Sequence, residues 1–204
     1  MSLSNVMRAA GAEPFARGYL DYVAALIRGL DAAEIAGFIA ALERARAGES
    51  TIFIIGNGGS AATASHMAND FGMSGSPGNR RPIRAHALTD NVPLLTAIAN
   101  DHDYRDVFVR QLDIHYRDGD VLLAISASGN SPNVVAAAEW IRDRKGLVLG
   151  LLGFDGGRLR ALCGTSVLVR TPPGEYGPVE DVHMILDHLV TMWLRADPPA
   201  GESR

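Results

Sequence analysis

The chain has 204 residues, of which 47% are hydrophobic and 21% charged, and its formal net charge at pH 7 is -4. This composition is typical of one folded domain with a buried core, and it excludes a disordered chain or a strongly basic nucleic-acid-binding protein. The single cysteine, Cys163, excludes an internal disulfide framework. Because the N-terminus also lacks a signal-peptide pattern, we expect a reducing, cytoplasmic location.

Two helices are predicted first, over residues 14–30 and 32–47, because apolar residues recur there at intervals of three and four. Short apolar runs then alternate with helix-like segments. These runs predict strands at residues 51–55, 85–88, 121–125, 147–152 and 166–169. Continuous apolar strands indicate burial on both faces of a parallel sheet. The predicted fold class is α/β, with a doubly wound five-stranded parallel sheet flanked by helices.

The predicted organisation is a single domain in three parts. Residues 1–48 form the N-terminal helices, residues 49–196 the α/β core and residues 197–204 a frayed tail. Residues 73–84 are predicted to be a loop because they are rich in Gly, Pro and Asn. The most apolar helix, residues 182–194, is interrupted by Asp187 and His188, so we expect no membrane-spanning segment.

A glycine-rich turn, GNGGSAATASHMAND over residues 56–70, follows the first predicted strand. Ligands bind at the carboxyl ends of parallel strands. There, Gly56, Gly58 and Gly59 would let the backbone approach a ligand, while Ser60 and the next helix N-terminus would donate to a phosphate. The glycine-rich turn also fits the sequence fingerprint of dinucleotide-binding proteins. The acidic residue that this fingerprint expects about 20 residues later is missing, which argues against a dinucleotide cofactor.

A second turn, SASGNSPN over residues 126–133, follows the third predicted strand. Ser126, Ser128 and Ser131 surround a glycine just before a helix that begins near Pro132. A well-capped helix is one explanation, because serine and proline are good residues for a helix start. Three hydroxyls exceed the need of one cap, however, and they could hold a phosphomonoester without arginine.

The two turns resemble the signature loops of the SIS (sugar isomerase) family, most closely those of its phosphoheptose isomerase branch. The similarity extends to the leading helices and to the segments NDHDYRDVF, GFDGGRLRAL and EDVHMILDHLV. It implies an α/β sandwich that assembles as a homotetramer with active sites at subunit interfaces. It also implies an aldose-ketose isomerase that converts sedoheptulose 7-phosphate into D-glycero-D-manno-heptose 7-phosphate.

The resemblance further implies roles for individual residues. Asp70 and His188 would be the catalytic acid-base pair. One zinc ion per active site would be bound by His66, Asp70, Glu180 and His188. The substrate would contact Asn57, Gly58, Gly59, Ser60, Asp70, Asn100, Asp101, Ser126, Ala127, Ser128, Ser131 and Glu180.

Helical spacing supports part of this set. His66 and Asp70 are four residues apart and share one helix face, although such a pair also occurs on ordinary surface helices. Two imidazoles and two carboxylates would suit zinc or another divalent ion. His183, three residues after Glu180, is a rival ligand to His188 that spacing does not exclude.

The chain departs from the branch at four positions. Asp70 stands where the branch has glutamate, and Glu180 where it has glutamine; Ala127 replaces a threonine and Gly177 an aspartate. Because aspartate is one methylene shorter than glutamate, its reach as a general base differs. The sequence leaves two roles for Asp70, as a base or as a metal ligand.

The competing hypothesis is a non-catalytic SIS module that binds a sugar phosphate or a protein partner. Members of that kind keep the serine loops and lose the acid-base pair. Ionisable residues stand at all four site positions in this chain, which favours an enzyme. The expected partners are a sugar phosphate and further copies of the chain, and neither nucleic acid nor membrane.

Overall fold

A five-stranded parallel sheet lies at the centre of the computed structural model, which describes residues 3–74 and 81–196. The strands are β1 (Thr51–Ile55), β2 (Arg84–Ala87), β3 (Val121–Ser126), β4 (Leu147–Gly153) and β5 (Thr165–Val169). Their order across the sheet is β2-β1-β3-β4-β5, and every pair is parallel. The predicted α/β class is confirmed, and each strand boundary differs from its predicted position by at most one residue.

Helices cover both faces of this sheet. They are α1 (Leu3–Val6), α2 (Ala12–Arg28), α3 (Ala32–Ala47), α4 (Gly59–Gly72), α5 (Val92–Asp101), α6 (Val109–His115), α7 (Pro132–Asp143), α8 (Gly157–Leu162) and α9 (Tyr176–Arg195), with a 3-10 helix at Tyr104–Asp106. The two predicted N-terminal helices correspond to α2 and α3. Within the described ranges, no helix is both long and apolar enough to span a membrane.

The central strands β1, β3 and β4 are largely apolar because each contributes side chains to two cores, whereas the edge strand β2 is partly exposed. In β1, Ile52 and Ile54 pack with helices α3, α4 and α9, whereas Phe53 and Ile55 pack on the opposite face with α6 and α7. All five residues of β1 and all six of β3 are buried. The division into three parts stays a prediction. The tail and half of the predicted loop at 73–84 lie outside the described residues.

The site depends on how the loops at the carboxyl ends of the strands pack together. β1 and β3 are neighbours, so the turns that lead into α4 and α7 lie side by side. Gly129, in the turn after β3, has φ +63°, and a Cβ there would overlap the carbonyl oxygen of Gly156. Leu159 also donates its backbone N–H to the carbonyl of Gly129 at 3.0 Å. The loops after β3 and β4 are therefore held against each other.

Gly129→Ala should destabilise the fold by about 2–4 kcal/mol, because the added methyl group is strained at this φ and overlaps Gly156. Gly72→Ala is the matched control, since no atom lies within 4 Å of a Cβ added at that position. We expect this control to lose no stability. Urea unfolding of both variants measures the effect, and equal stability of the two would contradict the packing described above.

Candidate active site

Helices α4 and α9 lie side by side and run in the same direction. At their N-terminal ends, Glu180 packs so closely on Gly59 that a Cβ on the glycine would overlap its carboxylate. Further along the same two helices, the Nε2 atoms of His66 and His188 are 3.2 Å apart. Seven residues of α-helix rise about 10.5 Å, so two turns separate these contacts. The helix pair carries two groups of polar residues, one at each contact.

The first group lines a cavity of about 110 Å³ between the two predicted loops and the start of α9. We call this cavity the phosphate cradle. Its lining residues are Asn57, Ser60, Ile125, Ser126, Ala127, Ser128, Ser131, Tyr176 and Glu180. Seven of these nine were predicted substrate contacts, and Ile125 and Tyr176 were not. The neighbouring Gly58 and Gly59 are the N-cap and first residue of α4.

The serine hydroxyls of the cradle are arranged to donate. The hydroxyl of Ser126 accepts a hydrogen bond from the backbone N–H of Gly129 at 3.1 Å, and that of Ser128 accepts one from Asn130 at 3.2 Å. Each hydroxyl therefore keeps its own proton for an anion. Ser131 stands at the N-cap of α7, yet its side chain makes no capping bond. The cap explanation for these serines thus does not account for their positions.

Asn57 is held in place by two residues that the sequence did not single out. Its side-chain amide exchanges hydrogen bonds with that of Asn133 at 2.8 and 2.9 Å, and it accepts a bond from the Tyr104 hydroxyl at 3.0 Å. These contacts join residues far apart along the chain, so spacing gave no signal for them. They fix the first loop against α7.

Asn100 and Asp101, also predicted to contact the substrate, are not among the described residues that line the cradle. Both are exposed at the end of α5, where the amide of Asn100 donates to the carboxylate of Asp101 at 2.8 Å. Tyr104, three residues after Asp101, donates to Asn57 of the first loop, and the contact of Asn100 and Asp101 with the substrate stays a prediction.

Glu180 is the only acidic residue in the cradle lining of the described chain. Burial raises the pKa of its carboxyl, and the charge of Asp181 raises it further. Both effects favour the neutral acid over the carboxylate. The resemblance implies that Glu180 and His188 bind one zinc ion, but within the chain Glu180 lies about two helical turns from His188, towards the N-terminal end of α9.

The second group, which we call the His-Asp cluster, consists of His66, Asp70, Asp187 and His188. These four side chains offer ligand atoms that all lie within 4.8 Å of one another. The carboxylates of Asp70 and Asp187 approach His66 Nε2 at 3.7 and 3.9 Å respectively. Three members were predicted; Asp187 was noted only as an interruption of the apolar pattern in α9.

Asp187 is the buried member of this cluster. Its side chain has 0% exposure, and its Oδ1 accepts a bond of 3.4 Å from the Thr191 hydroxyl. Its Oδ2 is buried without a hydrogen-bond partner. Burial, with the nearby charge of Asp70, raises the pKa of this carboxyl to about 7, although His66 opposes the shift. The cluster therefore contains a carboxylate oxygen that lacks a compensating group.

The His-Asp cluster fits a divalent metal ion. Two nitrogens bound to one tetrahedral zinc ion at ~2.0–2.1 Å lie about 3.3 Å apart, close to the 3.2 Å between His66 and His188. Imidazole nitrogens with carboxylate oxygens are a donor set that zinc accepts. A cation would also offset the mutual repulsion of Asp70 and Asp187 and engage the unpartnered Oδ2.

His183, the predicted rival ligand, faces the sheet instead. It is fully buried, and its Nε2 lies 3.2 Å from the carbonyl oxygen of Leu152 in β4. Burial lowers its pKa to about 4. It is absent from the His-Asp cluster found among the described residues, so His188 is the histidine of α9 that meets His66.

Comparison with known proteins identifies the family of the chain. Residues 18–153 match the family model described as SIS domain. The chain belongs to the SIS domain family. As a member of it, the chain is 40% identical over 159 residues to a protein of Rhodospirillum rubrum named phosphoheptose isomerase, covering 78% of this chain and 81% of that protein.

Solved structures of SIS proteins show the same fold. A phosphoheptose isomerase from Neisseria gonorrhoeae superposes with a TM-score of 0.78 at 29% identity, covering 88% of this chain and 96% of that one. Another from Francisella tularensis gives a TM-score of 0.79 at 23% identity, covering 91% and 98% respectively. The family resemblance predicted from the two loops is confirmed.

His183→Gln should weaken the dependence of stability on pH between about 6.5 and 4. Because the folded-state pKa lies below the unfolded value, the unfolded chain takes up the proton first as the pH falls. The contribution of His183 is therefore complete above about pH 6.5 and lost towards pH 4, by up to ~1.4 kcal/mol per pH unit. Urea unfolding of wild type and variant across this range measures it; equal slopes would contradict the assignment.

Proposed function

We propose that the chain is an aldose-ketose isomerase that interconverts sedoheptulose 7-phosphate and D-glycero-D-manno-heptose 7-phosphate. The observation that carries this proposal is the parallel pairing of α4 and α9, which sets the phosphate cradle and the His-Asp cluster two turns apart. The proposal also agrees with the activity named for relatives such as that of Rhodospirillum rubrum.

The cradle would hold the phosphate through neutral donors. Ser126, Ser128 and Ser131 present hydroxyls, and α4 and α7 both begin at this cavity, so their N-terminal N–H groups and partial positive charges favour an anion. An open-chain C7 sugar phosphate, with C–C bonds of ~1.5 Å, spans roughly 10 Å from its phosphate to C1. This length matches two turns of helix, which would bring C1 and C2 to the His-Asp cluster.

The isomerisation moves one proton between C1 and C2 and redistributes protons on the two oxygens, with no net oxidation. Asp70 would move the proton between C1 and C2, because its side chain is partly exposed, at 17%, and a substrate can reach it. His188, which is exposed, would carry protons between the oxygens. A divalent ion such as zinc, one per site, would polarise the substrate carbonyl when bound.

We further propose a homotetramer in the cytoplasm, with active sites at subunit interfaces. Exposed apolar side chains on α9, among them Ile185, Leu189 and Met192, support an interface on this helix. An interface site would also give Asn100 and Asp101 access to a substrate held by a neighbouring chain.

Asp70→Asn should slow exchange of the C1 hydrogen of sedoheptulose 7-phosphate with solvent by ~10²–10⁴-fold, the usual contribution of a general base. Proton NMR in deuterium oxide, with zinc supplied, follows the exchange. The substrate should still raise the melting temperature of the variant, because the cradle is unchanged. Absence of exchange in wild type, with thermal stabilisation retained, would instead support the non-catalytic module.

At a pH at which Glu180 is ionised, Glu180→Gln should lower KM for the sugar phosphate about fivefold, because it removes a negative charge from the cradle. Ser128→Ala is the opposite test and should raise KM about tenfold through loss of a donor to a charged group. Initial rates over a range of substrate concentrations measure both. A higher KM for the glutamine variant would contradict the placement of Glu180 beside the phosphate.

A further inference from the structure

Within one chain, the position of Glu180 excludes it from the His-Asp cluster. Its carboxylate rests on Gly59 at the start of α4 and lines the cradle. Asp187 stands seven residues later in α9, a rise of about 10.5 Å. Within the chain, the fourth ligand implied by family resemblance therefore lies at the phosphate end of the site. The donors around His66 and His188 are completed either by another residue of the same chain or by the partner subunit's Glu180, and the test below separates the two.

Asp187 is the residue in the right place. It is fully buried, its Oδ2 has no hydrogen-bond partner, and that oxygen lies 3.9 Å from His66 Nε2. A buried carboxylate oxygen without a partner is unfavourable unless a cation or donor compensates it. The Thr191 hydroxyl engages only the other oxygen, Oδ1. The unpartnered atom thus points to a ligand that sits among these side chains.

We propose that Asp187, rather than Glu180, completes a metal site with His66 and His188. The three side chains form a set of two imidazoles and one carboxylate, which is the protein ligand count of catalytic zinc sites that keep a position open for water or substrate. The site lies on two helices that pack through a common apolar core, so its ligands are held by rigid elements.

This arrangement leaves Asp70 as the base, a role that rests on the proposed function. The side chain of Asp70 is partly exposed and its Oδ1 accepts a bond of 3.1 Å from Asn69, whereas Asp187 is inaccessible to a substrate. A base must reach the carbon acid, but a ligand need only reach the metal. The partly exposed Asp70 is therefore the base, and the buried Asp187 is the metal ligand.

The test is zinc affinity, measured by chelator competition without any substrate. Asp187→Asn and Glu180→Gln form a matched pair, since each changes a carboxylate of α9 into its amide. We expect Asp187→Asn to weaken zinc binding by more than the ~10–100-fold typical of an outer-shell partner, and Glu180→Gln to leave the affinity unchanged. Asp70→Asn should weaken it less than tenfold. Visible spectra of the cobalt-loaded proteins should change with Asp187→Asn and not with Glu180→Gln.

Folding is controlled within the same experiment. Asp187→Asn and Asp187→Leu both remove a buried charge, so the metal-free variants should melt no lower than wild type, while the rise in melting temperature on adding zinc should shrink. Loss of zinc affinity in Glu180→Gln with retention in Asp187→Asn would overturn the proposal. Wild type that binds neither zinc nor cobalt would also overturn it. Neither result depends on which sugar is the substrate.

Discussion

The parallel packing of α4 against α9 is the constraint on which the rest of the site depends. Both helices bury apolar residues in one core, where Met67 and Phe71 of α4 join Leu186 and Val190 of α9. This core fixes the register between the helices. Their polar residues then meet in two places separated by two turns, and neither the cradle nor the cluster can move without disturbing the apolar contacts.

The phosphate cradle and the His-Asp cluster differ in the charges that they present to a ligand. At the cradle, neutral hydroxyls and helix N-termini face the cavity, so an anion can be bound in an acidic protein without a basic residue. At the cluster, two carboxylates and two imidazoles converge, and one carboxylate is fully buried. A bound cation would compensate the buried charge and favour the ionised form of this carboxyl. A sugar phosphate would then place its phosphate in the cradle and its carbonyl beside a cation bound at the cluster.

Local patterns accounted for the strands and for the two loops. Apolar runs identify β1 and β3 because these strands are buried on both faces. The turns Gly56–Ser60 and Ser126–Ser131 are recognisable because glycine allows a tight turn of the backbone and serine hydroxyls bond to nearby backbone groups. The cradle follows, since neighbouring parallel strands end at one edge. Such features depend on few residues close in sequence.

Contacts between distant segments were harder to predict. Spacing along α9 cannot show which carboxylate faces His66, because that depends on the register against α4. Family resemblance implied Glu180, and within the chain the structure brings Asp187 there. The hydrogen-bonded pair of Asn57 and Asn133 was not predicted for the same reason, because the two residues are far apart in the sequence. The sequence does contain one signal for Asp187, since a charged residue within an apolar helix face indicates a buried polar contact.

The distance between a bound phosphate and a bound metal tests the central claim most directly. Paramagnetic relaxation of the phosphorus signal of a sugar phosphate, measured with the chain loaded with cobalt, reports that distance. The two-turn separation predicts roughly 10 Å, as set by the rise of seven helical residues. Direct coordination of the phosphate to the metal, or a phosphorus nucleus too remote to be relaxed by it, would contradict the account.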